Sequence, residues 1–194
     1  ASKLDNLEQT ICAATGSSRT KLDDKDKEKA ERMRNRVIDV LEAHNIHIVD
    51  LIGGGDTAST VAEINKVAKE RDYNIICEHL MKTIDNDGYG LFSPGWGTTG
   101  VWQRDSTLSL IKEVEATNNI FLAVSMGRDS GWITAMTTHA FLAEGKDKRH
   151  MQRIYTPETG FTLERFEDEC FEAYKNSKGK LVVNVSEGVQ EDNR

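Results

Sequence analysis

Short runs of aliphatic and β-branched residues alternate with longer segments whose apolar residues recur every three or four positions, and this alternation constrains the fold more than any other feature. The runs are His47–Ile52, Asn74–Leu80, Ile120–Ser125, Arg153–Tyr155 and Leu181–Val185. Between and before them, Ala30, Met33, Val37, Val40 and Leu41, then Val61, Ile64, Val67 and Ala68, then Val101, Leu108 and Ile111, mark amphipathic helices. Trp132, Ala135, Met136, His139 and Ala143, and then Phe166, Cys170 and Tyr174, mark two more. Strands separated by helices of this length cannot form hairpins. They predict an α/β domain in which a parallel sheet carries helices on both faces. Both prolines, Pro94 and Pro157, fall between these elements, and no repeat or low-complexity linker divides the chain. A single domain over residues 1–194 is expected.

Charge and composition then exclude several classes. With 25 Lys and Arg against 32 Asp and Glu, the formal charge of -7 repels polyanions, which disfavours nucleic-acid and acidic-membrane binding. No apolar run reaches bilayer length, and residues 1–9 lack the basic-then-apolar pattern of a secretory signal. The three cysteines are unpaired in sequence and odd in number, which fits a reducing compartment, and a cytoplasmic protein is expected. Five scattered histidines do not suggest a zinc site.

In open parallel sheets ligands bind beyond the carboxyl ends of the strands, so the residues just after each strand are the candidates. Gly53-Gly54-Gly55-Asp56-Thr57-Ala58 follows the first run, and its backbone could approach a phosphate at a helix N-terminus. Lys82-Thr83-Ile84-Asp85-Asn86-Asp87 follows the second, Met126-Gly127-Arg128 the third and Pro157-Glu158 the fourth. Singly, each has an ordinary structural reading: a tight turn with Asp56 as N-cap, a solvated Asx turn at Asp85 to Asp87, a surface ion pair at Arg128, a first-turn acid at Glu158. Together, acids, bases and glycines emerge at one edge of one sheet. The spacing of Gly53, Gly55 and Ala58, with Glu78 near the end of the next strand, also satisfies a dinucleotide-binding pattern. Asp56 beside a diphosphate opposes that reading, which also leaves Lys82, Asp85, Asp87 and Arg128 without roles.

The same segments, with Ser17-Ser18-Arg19, Pro94-Gly95-Trp96-Gly97, Gly131-Trp132 and Ser186-Glu187-Gly188, resemble the phosphofructokinases, and among them the pyrophosphate-dependent type. The resemblance runs from about Gly16 to Gly188. It implies reversible transfer of a phosphoryl group to the 1-hydroxyl of fructose 6-phosphate, a glycolytic reaction, with Mg2+ and in a homo-oligomer. It assigns Asp85 as general base, Lys82, Arg128 and Arg19 as transition-state cations, and Gly54, Gly55 and Asp56 as the donor-phosphate site. Asp56 and Asp87 would hold the metal. Thr83, Ile84, Met126, Gly127 and Glu158 would hold the sugar. In this family an aspartate at the position of Asp56 and a lysine before Thr83 mark pyrophosphate rather than ATP as donor.

The chain departs from the family pattern in four respects. Gly55 stands where a metal-associated aspartate is usual, and Met81 where a proline is usual. The family's opening strand with its phosphate loop is missing, and so is the half that holds the sugar 6-phosphate, so about half of a full-length enzyme is expected here. A non-catalytic subunit that keeps the fold is the alternative this raises.

Overall fold

The computed structural model describes residues 16–18, 20, 22, 25–88 and 93–192. They fall into two compact units, one formed by the described residues up to Leu51 with Ala58–Glu78, the other by Ile52–Thr57 with His79 onward. The elements, in chain order, are α1 (Lys27–Ala43), β1 (Ile48–Gly53), α2 (Gly55–Glu70), β2 (Ile76–Met81), α3 (Trp96–Thr117), β3 (Ile120–Ser125), α4 (Trp132–Glu144), a 3-10 helix (Lys146–Met151), β4 (Gln152–Tyr155), α5 (Leu163–Asn176) and β5 (Leu181–Ser186). Every strand and helix expected from the periodicity is present.

In the first unit, α1 starts where Asp26 accepts a hydrogen bond from the Lys29 amide, so the charged run before it serves as the helix entry. Its apolar stripe, centred on fully buried Ile38, packs with Val61, Ile64, Val67 and Ala68 of α2 and with Cys77. Strands β1 and β2 pair. The Ile76 amide bonds to His47 O and the Lys82 amide to Gly53 O, a constant offset (76 − 47 = 82 − 53), so the two strands run in the same direction.

In the second unit, β3, β5 and β4 form a parallel sheet in that order, with Ile120 opposite Leu181 and Gln152 opposite Val182. The alternation of β5 divides two cores. Val182 joins Ile111 and Val114 of α3 and Ala140 and Phe141 of α4 on one face, while Leu181 and Val183 join Tyr155 and Ala173 of α5 on the other. Helices therefore lie on both faces of this sheet at its central strand.

Two features differ from the sequence expectation. Among the described residues the strands pair in two sheets rather than one, and past the end of β2 the backbone makes only an isolated parallel bridge, from Thr83 to Gly95. Helix cover is also incomplete: Ile120, Leu122 and Val124 of β3 are 55%, 59% and 69% exposed, as α5 lies over the neighbouring strand. No helix among the described residues is long and apolar enough to cross a membrane.

Candidate active site

The second unit carries the turn between β1 and α2. Gly53 is buried, and a Cβ on it would stand 1.8 Å from Thr57 Oγ1, so only glycine lets the first turn of α2 fold back onto the strand. The Thr57 amide closes the turn on Gly54 O at 2.9 Å. Gly53 O accepts two hydrogen bonds, from the Lys82 amide and from His79 Nε2, each 3.0 Å. The glycine turn and the segment after β2 are thereby fastened together. A Cβ on Gly54 would lie 3.8 Å from Lys82 O. Asp56 lies within the first turn of α2, after Gly55, and is therefore a first-turn acid and not an N-cap.

The segment after β2 is folded and half-buried around Asp85. Thr83, only 8% exposed, bonds through its amide to Pro94 O and accepts the Asp85 amide on its hydroxyl at 3.2 Å. Asn86 takes a left-handed conformation and accepts the Ser93 amide on its side chain. One Asp85 carboxylate oxygen, Oδ1, is buried without a hydrogen-bond partner. Burial, and then the neighbouring charges of Asp87 and Glu187, push the Asp85 carboxyl above its ordinary range, outweighing the Thr83 hydrogen bond and the Arg128 guanidinium. Asp85 is a partly desolvated carboxyl among acids, not part of a solvated turn.

The loop after β3 closes on the same group. The Ser130 hydroxyl donates to Asp85 O. Gly127 has φ +120°, its amide donates to Glu187 Oε1 at 3.2 Å, and its carbonyl accepts from the buried Ser186 hydroxyl. Gly188 packs so closely under this loop that a Cβ there would lie 1.7 Å from Arg128 O. Arg128 and Met126 are exposed at its tip, Arg128 beside Asp129 at 3.5 Å. Glu158 Oε1 accepts the Gly131 amide at 2.8 Å, at the N-terminus of α4. Burial raises the Glu158 carboxyl, but hydrogen bonds from the Gly131 and Glu158 amides and the Thr156 side chain outweigh it and leave it below the usual range. Glu158 thus caps α4, not the first turn of α5, and one of its two oxygens is committed to that bond.

Of the residues singled out in the sequence, the structure brings Thr83, Asp85, Asp87, Gly127 and Arg128 together at the carboxyl ends of β2 and β3, with Gly54 against the backbone of Lys82. Ile84 is half-buried and lies beneath Gly95. Lys82, Gly55 and Asp56 are exposed. Arg19 lies outside the described residues. Among the described residues no three His, Cys, Asp or Glu side chains form a ready cation cage. Two contributors had no assigned role: Glu187, just past β5, and Ser130. Glu187 could have been found by applying to β5 the same strand-end rule that singled out the other four segments.

Glycine, lysine, carboxylate and arginine segments thus lie at the strand ends of a parallel α/β fold, the edge at which such folds bind ligands. The family model described as Phosphofructokinase matches residues 1–194, and the chain belongs to that family. It is 31% identical over 193 residues to the pyrophosphate–fructose 6-phosphate 1-phosphotransferase of Rhodospirillum rubrum, covering 97% of this chain and 44% of that protein. The crystal structure of the pyrophosphate-dependent phosphofructokinase of Marinobacter aquaeolei superposes with a TM-score of 0.75 at 28% identity, covering 97% of this chain and 46% of that one. That of Nitrosospira multiformis gives 0.69 at 31% identity, covering 84% and 42%. The chain therefore spans less than half the length of the relatives it matches. Family membership leaves the dinucleotide reading without support.

Proposed function

We propose that these residues form the phosphoryl-transfer site of a pyrophosphate-dependent phosphofructokinase acting on the 1-hydroxyl of fructose 6-phosphate. The observation that carries this is the convergence on Asp85 of two loops and a third strand end, with Thr83, Ser130, Arg128 and Glu187 all bonded to it or within its electrostatic reach. An attacking alcohol must lose its proton as it reaches phosphorus, and a carboxylate whose affinity for protons is raised takes it more readily at neutral pH. The Thr83 hydroxyl and the Asp85 amide fix one another, which holds the base in one orientation.

The transferring group spreads negative charge over its peripheral oxygens. The exposed cations Lys82 and Arg128 meet that charge, with Arg19 as a third, and the amides of Gly54 and Gly55 meet the donor phosphates. Gly127, with φ +120°, brings its backbone against the sugar beside Met126. Thr83 and Ile84 lie under the sugar, and the Glu158 carboxylate takes a sugar hydroxyl in addition to its bonds from Gly131, its own amide and Thr156.

Hard carboxylate oxygens suit a magnesium ion, and the unpartnered Asp85 Oδ1 beside Asp87 leaves negative charge uncompensated here. Asp56 and Asp87 would hold it. With no three-carboxylate cage among the described residues, the remaining positions would fall to phosphate oxygens and water, as Mg2+ prefers. When bound, the ion would neutralise charge on the transferring phosphates.

The test is transfer of labelled phosphate from pyrophosphate to fructose 6-phosphate by the native polypeptide that carries these residues, and by its Asp85→Asn variant. Loss of a general base should slow turnover by roughly 10²–10⁴-fold with substrate affinity kept. Near-normal turnover in the variant would remove Asp85 from the role, and no transfer by the parent would overturn the function.

A further inference from the structure

His79 belongs to no motif in the sequence, yet its ring makes one of the two hydrogen bonds that fix the carbonyl of the glycine turn. Gly53 O can only accept, so His79 Nε2, at 3.0 Å, carries the proton and donates. The Lys82 amide, also at 3.0 Å, takes the other lone pair of the same oxygen as part of the β1–β2 ladder. Gly53 is buried and a Cβ on it would collide with Thr57, so no side chain of its own could substitute for the ring. Removing the imidazole would leave the buried carbonyl with one of its two hydrogen bonds, which loosens the hold on the peptide unit.

The consequence falls on the next residue. The carbonyl of Gly53 and the amide of Gly54 belong to one planar peptide unit, which is trans, so the N–H points opposite to the C=O. Pinning the oxygen toward β2 therefore sets the direction of the Gly54 amide. A glycine pair in a turn otherwise has wide conformational freedom, which makes an external restraint effective here.

We infer that His79 is a positioning residue for the donor site: by holding Gly53 O it aims the Gly54 amide at the pyrophosphate and keeps the turn in register with Lys82. This rests on the reading of the site as a pyrophosphate site. It makes affinity for the donor, not for the sugar, depend on a side chain that does not itself touch the phosphates.

The experiment compares His79→Ala, His79→Asn and His79→Gln in the native polypeptide. A Gln amide nitrogen reaches about as far as Nε2, whereas that of Asn reaches only as far as Nδ1. The Ala and Asn variants should raise KM for pyrophosphate about 3- to 10-fold, a loss typical of one hydrogen bond. In the same variants kcat and KM for fructose 6-phosphate should stay within about twofold of the parent, and Gln should restore the parent value. Amide hydrogen exchange at Lys82 and Thr57, whose acceptors are Gly53 O and Gly54 O, should quicken in Ala and Asn but not in Gln. Unchanged KM for pyrophosphate in the Ala variant, or a rise shared equally by both substrates and not rescued by Gln, would overturn the inference. A parent that does not use pyrophosphate would refute the reading of the site. Exchange would then still decide on His79, with unchanged rates at Lys82 and Thr57 refuting its hold on the turn.

Discussion

Replacing Gly127 by alanine tests how the loop after β3 is built. The residue has φ +120°, a region that side chains other than glycine rarely enter, and a Cβ there would stand 2.3 Å from Ser130 O and 3.4 Å from Ser186 Oγ. Ser130 O is backbone and cannot swing aside as a flexible side chain would. The variant must therefore hold a strained conformation, at about 1–3 kcal/mol, or rotate the peptide and give up the buried Ser186 hydrogen bond to Gly127 O, at about 1 kcal/mol more. A destabilisation of about 1–4 kcal/mol follows, and with about 2–4 °C per kcal/mol for a chain of this size the midpoint should fall by roughly 2–16 °C. Urea unfolding followed by far-UV circular dichroism and by fluorescence, with Trp132 beside the loop as a local reporter, measures it. Gly97→Ala is the control of opposite sign: Gly97 lies in the first turn of α3 with nothing within 4 Å of its missing Cβ, so alanine there should stabilise by up to about 1 kcal/mol. A Gly127→Ala variant within about 0.5 kcal/mol of the parent would refute the reasoning, since surface changes without a structural cause stay in that range.

Other outcomes follow from the same geometry. The Asp85 carboxyl is held above its ordinary range, so its ionised form destabilises the fold, and that penalty is relieved as pH falls through the raised value. Asp85→Asn should accordingly be more stable than the parent at neutral pH while losing turnover; a less stable variant in thermal melts at pH 7 would contradict this. Glu158 has the opposite sign: its carboxyl lies below the usual range, so its stabilisation is present above the unfolded value and is lost as pH falls through the lowered one. Glu158→Gln should weaken the α4 cap by about 0.5–2 kcal/mol at pH 7 and converge with the parent in acid, and parallel pH–stability curves would exclude the cap. The double change Asp56→Gly with Lys82→Gly should raise kcat/KM for ATP and lower it for pyrophosphate. Coupled assays with each donor would show no such crossover if these two residues do not set the choice.

The elements of this fold were legible because their signals are local. Ile120–Ser125 is the strand expected residue for residue, and Asp26 and Thr162 cap the helices that the periodicity marked. What could not be read is which apolar face a helix covers. Ile48, Ile52, Ile120 and Leu122 look as core-like in sequence as Val182, yet they are exposed, because apolar residues on both faces of a strand report only that both can be buried. The site shows the same division. Glycines, lysine and carboxylates after each strand were visible from topology alone. The burial of Asp85, the bond from Glu158 to Gly131 across 27 residues and the bond from His79 to Gly53 across 26 arise only when strands pair and loops close. Glu187, 60 residues from Gly127, is the clearest case, a strand-end acid whose meaning depends on the loop it holds.

The donor decides the central claim. On the proposed reading, Asp56 in the first turn of α2 would set a carboxylate against the α-phosphate of ATP, whereas the two phosphates of pyrophosphate would end short of it. Initial rates of fructose 6-phosphate phosphorylation by the unmodified native polypeptide, with pyrophosphate and ATP offered in turn at equal Mg2+, measure this directly. Turnover with pyrophosphate, and none above background with ATP, is the expected result. Efficient use of ATP with pyrophosphate inert would contradict it.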